Sequence, residues 1–167
     1  MNNIFGLLFI IIFGGVGLIS IFTVIGLLLP NLVDQTRTVL ETSPGRSLLL
    51  GAINFLCVGI LDALFIWLAQ LVNNVKVIGG ILVIIGGIIT ITLALLVFLG
   101  LASLANLLGH HVGEPNNDFN AFTRGGALLF LAGLTPFIGW FAFTPLVIWA
   151  ALGAAIQTLF RRKEKVA

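Results

Sequence analysis

Apolar positions run along this chain in long, nearly unbroken stretches, and the polar positions fall between them in short clusters. The first stretch, 4–29, is about 39 Å long as a helix, enough to cross a bilayer with tilt. Pro30 and Asn31 end it. A second stretch, 48–72, and a third, 77–108, flank Asn73, Asn74, Val75 and Lys76, which read as a tight turn. The third is glycine-rich, with the run IGGILVIIGG. A polar segment, GHHVGEPNND, follows at 109–118.

Between the first two stretches lies PNLVDQTRTVLETSPGR, 30–46, which holds four charged residues. Leu32, Val33, Thr36, Val39 and Leu40 share one helical face. Asp34, Arg37 and Glu41 fall on another, at i, i+3 and i+7. Asn31 can cap the start, and Pro44-Gly45 stops the helix. The pattern predicts a short amphipathic helix over 31–43, lying in the membrane interface. A solvated loop with local ion pairs fits the same residues.

The last apolar run, 119–160, has 42 residues. About 20 suffice for one span, so this run needs a break. Thr135-Pro136 has the form of a helix start, with Thr as N-cap and Pro at the first helical position. Proline also disfavours helical geometry at the residue before it. Gly133 suits the end of the preceding helix. The expected arrangement is a hairpin with helices over 119–132 and 136–160, linked at Gly133-Leu134-Thr135. Its first arm is short, about 21 Å, so the apex, with Gly139 just beyond it, sits in the outer leaflet. Thr144-Pro145 then places a kink in the second arm.

Charge discriminates between the hairpin and a single broken span, because Lys and Arg gather on the cytoplasmic side. With the hairpin, Arg37, Arg46, Arg124, Arg161, Arg162, Lys163 and Lys165 lie on one side, and Lys76 alone lies on the other. That is seven against one. A single span gives five against three. The rule favours the hairpin, with the N-terminus outside and the C-terminus cytoplasmic. Trp67 and Trp140 then approach the outer interface, where aromatic belts form, and Trp149 reads as a packing residue.

Composition supports the same picture. Of the 167 residues, 59% are hydrophobic and 8% charged, with mean hydropathy +1.20. A soluble domain carries about 25% charged residues, so lipid must be the solvent here. The formal charge is +2, and the cations are scattered except at the C-terminus, which argues against nucleic acid as a partner. MNN lacks the basic start of a signal peptide and the first run is long for one, so it reads as a retained membrane helix. Cys57 lies in an apolar run and reads as a small core residue.

Asp62 is the acidic residue inside a span, where a charge costs several kcal/mol by contested estimates of roughly 3 to 10 or more. It should be protonated or paired, and should face protein. Folding the second and third runs about the Asn73–Lys76 turn sets Asp62 level with Gly86-Gly87 and lets Thr90 donate a hydrogen bond. Asn54 shares its helical face. These residues could form a proton or cation relay, or Asp62 could be hydrogen-bonded glue between helices. A relay usually shows more than one intramembrane ionisable group, which favours the glue. Asn106 and Gln70, near helix ends, read as interfacial.

His110 and His111, with Glu114 and Asp118, suggest a metal site. Adjacent histidines do not share one helix face, however, and structural zinc sites show two ligand pairs. A solvated loop is the expected reading, with no metal. His110, at a helix end, is the candidate ligand for a porphyrin-type pigment. The glycine pairs 14-15, 79-80, 86-87 and 125-126 lack the strand and Lys-Ser/Thr of a nucleotide loop and read as close-packing sites. No Ser/His/Asp or Cys/His set has catalytic spacing. A faint repeat sets Arg46 on Arg124 at a shift of 78, with both halves in the same orientation.

The segment SPGRSLLLG, followed about 80 residues later by GALLFLAGLTPFIGWFAFTPLVIWAALGAAIQTLF, resembles the polytopic membrane region of bacterial proteins that carry bactofilin-like, polymer-forming domains. The matching positions are Pro44, Gly45 and Arg46, then Pro136 and Gly139, then Leu152, Gly153 and Ala154. A GLGA element is altered here to ALGA. The resemblance covers about the last two-thirds of the chain. These residues include no polymer-forming domain, so a cytoskeletal role does not carry over. The resemblance implies a bacterial inner-membrane protein of unassigned activity.

The expected molecule is an all-α, polytopic integral membrane protein with four transmembrane helices plus a short hairpin arm. Its expected role is a non-catalytic scaffold or accessory subunit, with lipid and other membrane subunits as partners. The alternative is a small transporter or channel using Asp62. No cofactor is expected, and pigment or lipid are the ligands left open.

Overall fold

The structure is a computed structural model that describes residues 2–71, 76–113 and 118–164. It is all-α and polytopic, with helices α1 (Asn2–Leu28), α2 (Pro30–Thr42), α3 (Pro44–Leu71), α4 (Lys76–His111), α5 (Asp118–Leu134) and α6 (Thr144–Glu164). A six-residue π-helical segment, Ile138–Phe143, leads into α6. Among the described residues, four helical stretches are long and apolar enough to cross a membrane: Leu8–Leu28, Pro44–Leu71, Gly79–His111 and Ile138–Phe160. Phe9, Ile10, Phe13, Leu27 and Ile60 are each more than 60% exposed, as suits a protein whose solvent is hydrocarbon.

Small residues set the packing. Lipid tails are as apolar as leucine, so helices in a bilayer associate through close van der Waals contact, which small side chains permit. α4 is the hub and touches each of the other α-helices. A Cβ added at Gly125 of α5 would strike the Ala105 carbonyl and lie 2.9 Å from the Gly109 nitrogen. One at Gly109 would strike Ala121. α3 and α6 meet in the same way, with Gly51 against the Trp149 carbonyl and Gly153 against that of Ser47. Gly100 of α4 lies on Ala151 of α6. Only Cα–H groups fit between these backbones. Ala102, Ala105, Ala121, Ala151, Ala154 and Ala155 are fully buried around the seams, and Phe22 and Phe122 fill the space between α1 and the rest.

These contacts fix direction. Gly26 meets Phe122 and Gly15 meets Phe130, so α1 and α5 are antiparallel. α5 is antiparallel to α4, and α3 to α6. Ala151 lies at Gly100 while Ala154 packs with Leu104 and Leu107, so α4 and α6 run together. The chain therefore reverses near Thr135–Phe137. Arg37, Arg46, Arg124 and the last turn of α6, which carries Arg161, Arg162 and Lys163, share one end of the bundle, and Lys76 begins α4 at the other. Lys165 and the turn residues Asn73, Asn74 and Val75 lie outside the described residues.

Several boundaries differ from the sequence reading. α2 begins at Pro30, with Leu29 at the cap position and no side-chain cap bond. Proline suits the first helical position because its fixed φ is already helical and no N–H is needed there, so Asn31 lies inside the helix. Pro44 likewise starts α3 rather than merely ending α2. The apolar face of α2 (Val33, Thr36, Val39, Leu40) is buried and packs on α4 and α6. The amphipathic segment thus lays its apolar face on protein, and its exposed face carries Asp34, Gln35, Thr38 and Glu41. α4 continues through Gly109 to His111 because Gly109 is needed for the α5 contact and nothing before Gly113 breaks the helix.

The hairpin apex has its own geometry. Ile138 N–H donates to the Pro136 carbonyl at 2.9 Å around Phe137, whose φ is 65° and ψ −65°. This is a γ-turn of the rare, strained hand. The kink at Pro145 takes the form of the π-helical segment. Proline offers no N–H to the preceding turn, and the wider turn lets both the backbone N–H and the hydroxyl of Thr144 reach the Gly139 carbonyl, the hydroxyl at 2.7 Å.

Candidate functional site

Register places Asp62 in an unusual position. The α3–α6 seam pairs Ser47 with Gly153 and Gly51 with Trp149. Continued at the same spacing, it sets the start of α6 level with about Leu56. Beyond that level α3 keeps α4 as its neighbour. Residues 57–71 of α3 and 79–91 of α4 thus form a two-helix arm, about 20 Å long. Its outer faces are bare, with Ile60, Ile66, Trp67, Leu71, Ile84, Ile88 and Ile91 each more than half exposed.

Asp62 lies between the two helices of this arm. Thr90 Oγ1 donates to Asp62 Oδ2 at 2.6 Å and also lies 3.0 Å from the Gly86 carbonyl. Asp62 Oδ1 is buried and has no hydrogen-bond partner. It faces Gly86, where an added Cβ would lie 3.6 Å away. Asn54 is not joined to the pair; its amide donates to the Leu50 carbonyl of its own helix at 2.9 Å. A helical face shared over two turns does not bring short side chains together.

A second polar group lies at the cationic end. The Arg37 guanidinium donates to Glu41 at 3.0 Å and across to Asn106 of α4 at 3.1 Å. Asn106 is buried among the helices. Gln157 of α6 donates to Ser47 at 3.2 Å, and Ser43 donates to Gln157 at 3.4 Å. These bonds pin α2, α3, α4 and α6 together where they leave the apolar zone. Sequence reading missed them because they join residues 69 to 114 positions apart. The paired glutamine and asparagine near helix ends were the available signal.

His110 and His111 lie in the last turn of α4 rather than in a solvated loop. His111 Nδ1 is 2.9 Å from the Leu107 carbonyl, and His110 is half-buried. Among the described residues no three His, Cys, Asp or Glu side chains come together as metal ligands do; Glu114 lies outside those residues. At the apex, Thr135 Oγ1 donates back to the Ala132 carbonyl at 2.7 Å, and Gly139 N–H to the Thr135 carbonyl at 3.0 Å; α5 runs on to Leu134, and the turn at Phe137 delays the next helical segment to Ile138, so Thr135 does not cap a helix starting at Pro136. An apolar groove of about 290 Å³ opens among α1, α5 and α6, lined by Leu18, Phe22, Leu129, Phe130, Phe143 and Thr144. Cys57 is exposed on the arm, not a core residue.

The tightest glycine contacts are at Gly51, Gly100, Gly109, Gly125 and Gly153. Of the four glycine pairs, 125-126 lies at such a contact. Gly15 and Gly86 meet a phenylalanine and the Asp62 carboxyl, whereas Gly80 and Gly87 face open space. No family model, curated protein or solved structure matches this chain.

Proposed function

We propose that this multi-pass membrane protein is a non-catalytic scaffold or accessory subunit of a larger membrane complex, in a bacterial inner membrane with its C-terminus cytoplasmic. The carrying observation is the two-helix arm of α3 and α4, which stands apart from the other helices with bare apolar faces and open glycines. A partner's membrane helices are the cover these faces fit. Gly80 and Gly87, open on the arm, let another helix approach closely. The orientation follows from the shared cationic end and the preference of Lys and Arg for the cytoplasmic side.

The test is purification from native membranes in mild detergent, followed by native mass spectrometry. The proposal expects a stoichiometric complex that Gly80→Phe and Gly87→Phe dissociate without lowering the unfolding midpoint of the isolated chain. A chain that emerges alone, or a complex indifferent to both substitutions, refutes it. Ion flux in liposomes that is lost on Asp62→Asn would instead assign a transporter. Impermeant thiol reagents on Arg46→Cys, Arg124→Cys and Lys76→Cys, in a Cys57→Ser background, should separate the first two from the third. Labelling of all three from one side overturns the topology.

A further inference from the structure

We propose that Asp62 and Thr90 form a binding site for one proton between the two helices of the arm, which goes beyond the scaffold reading and does not depend on it. The number of hydrogens at the site decides between the two charge states. A threonine hydroxyl has one proton to give and lone pairs that accept. Thr90 Oγ1 lies within bonding distance of two acceptors, Asp62 Oδ2 and the Gly86 carbonyl. If the carboxyl is ionised, the single Thr90 proton is drawn to Oδ2 and none is left for the Gly86 carbonyl. Asp62 Oδ1 then stays bare in an apolar arm, the most costly place for an unpaired charge. If the carboxyl holds a proton on Oδ2, every donor has one acceptor. Asp62 O–H donates to Thr90 Oγ1, and Thr90 O–H donates to the Gly86 carbonyl. Oδ1 is then an ordinary acid carbonyl oxygen against the Gly86 Cα. The 2.6 Å separation lies within the O–H···O range.

Ligand number separates a proton from a metal cation. Calcium and magnesium take about six or more oxygens. The site gathers Asp62 Oδ2, Thr90 Oγ1 and the Gly86 carbonyl, with Oδ1 turned onto Gly86. α3 from Leu48 to Leu71, α4 from Gly79 to Gly109 and the segment from Ile138 to Phe160 carry no Lys, Arg, Glu or second Asp, and Lys76, at the start of α4, is about 20 Å from Thr90 along the helix. The histidines His110 and His111 are about 30 Å away along α4. Loss of the proton reverses the Asp62–Thr90 bond, draws the Thr90 hydroxyl off the Gly86 carbonyl of its own helix and leaves a charge in the apolar arm.

The test uses the full chain in nanodiscs at neutral pH. Dicyclohexylcarbodiimide, an apolar reagent, attacks carboxylic acids that carry their proton. Intact mass should show one adduct per chain, mapped to Asp62 and lost in Asp62→Asn. Infrared difference spectra between wild type and Asp62→Asn should show an acid C=O stretch that shifts in D₂O and moves to higher frequency in Thr90→Val, where the hydrogen bond is gone. The wild-type D₂O shift and the Thr90→Val spectrum stand even where Asp62→Asn fails to fold. A carboxylate band at Asp62 with no acid band overturns the proposal, as does protection from the carbodiimide by Na⁺, Ca²⁺ or Mg²⁺ at constant pH.

Discussion

Gly153→Ala is the sharpest perturbation of the packing described above. The added methyl would collide with the Ser47 carbonyl oxygen and lie 2.6 Å from the Ser47 carbonyl carbon and 2.7 Å from the Gly51 nitrogen. All three are backbone atoms, so no side chain can rotate away, and α3 and α6 must separate. A gap of 0.5–1 Å forfeits about a quarter to a half of each contact's attraction. A seam with as many close atom pairs as one buried leucine makes, about 40–60, would lose about 2–3 kcal/mol. That agrees with the usual cost of overpacking, about 1–3 kcal/mol. The control is Gly87→Ala, whose Cβ meets nothing within 4 Å. Helix propensity favours alanine there by up to about 1 kcal/mol. The assay is reversible SDS unfolding in mixed micelles, followed by tryptophan fluorescence, to which Trp149 at the seam contributes. The expected result is opposite signs for the two substitutions. A Gly153→Ala chain within about 0.5 kcal/mol of wild type, or a Gly87→Ala chain equally damaged, refutes the backbone-contact reasoning.

Three further outcomes are expected. Gly139→Ala would place a methyl 2.5 Å from the Ala132 carbonyl and 2.6 Å from Thr135 Oγ1; it should cost about 2–3 kcal/mol and raise hydrogen exchange across Thr135–Thr144, and unchanged exchange would count against the apex geometry. Thr36 is fully buried and its hydroxyl has no partner, so Thr36→Val, close in shape, should be neutral or stabilising by about 1 kcal/mol; a loss of that size in SDS unfolding would mean the hydroxyl is satisfied. A double-mutant cycle of Arg37→Met and Asn106→Leu should return a coupling of about 1–2 kcal/mol, whereas Glu41→Gln should cost under about 0.5 kcal/mol and vanish at high salt; a zero coupling would remove Arg37 as the tie between α2 and α4.

The apolar runs, their lengths and the scarcity of charge were enough to read an all-α, multi-pass membrane protein, because a span is a local property of about twenty consecutive residues. Reversal near Thr135 was legible too, since glycine, threonine and proline act on their own backbone. The contact of Asp62 with Thr90 could be reached by folding two neighbouring helices about a short turn, which is nearly a local operation. Tertiary structure alone decided which glycines touch backbone. Gly51 and Gly153 are about a hundred positions apart and look no different in sequence from Gly80 and Gly87, which face open space. It alone decided that α2 lays its apolar face on α4 and α6, and that Asn106 is buried against Arg37. The physical reason is that burial in lipid is specified by register and helix rotation between distant segments, and a uniformly apolar helix carries almost no polar pattern to announce which side turns inward.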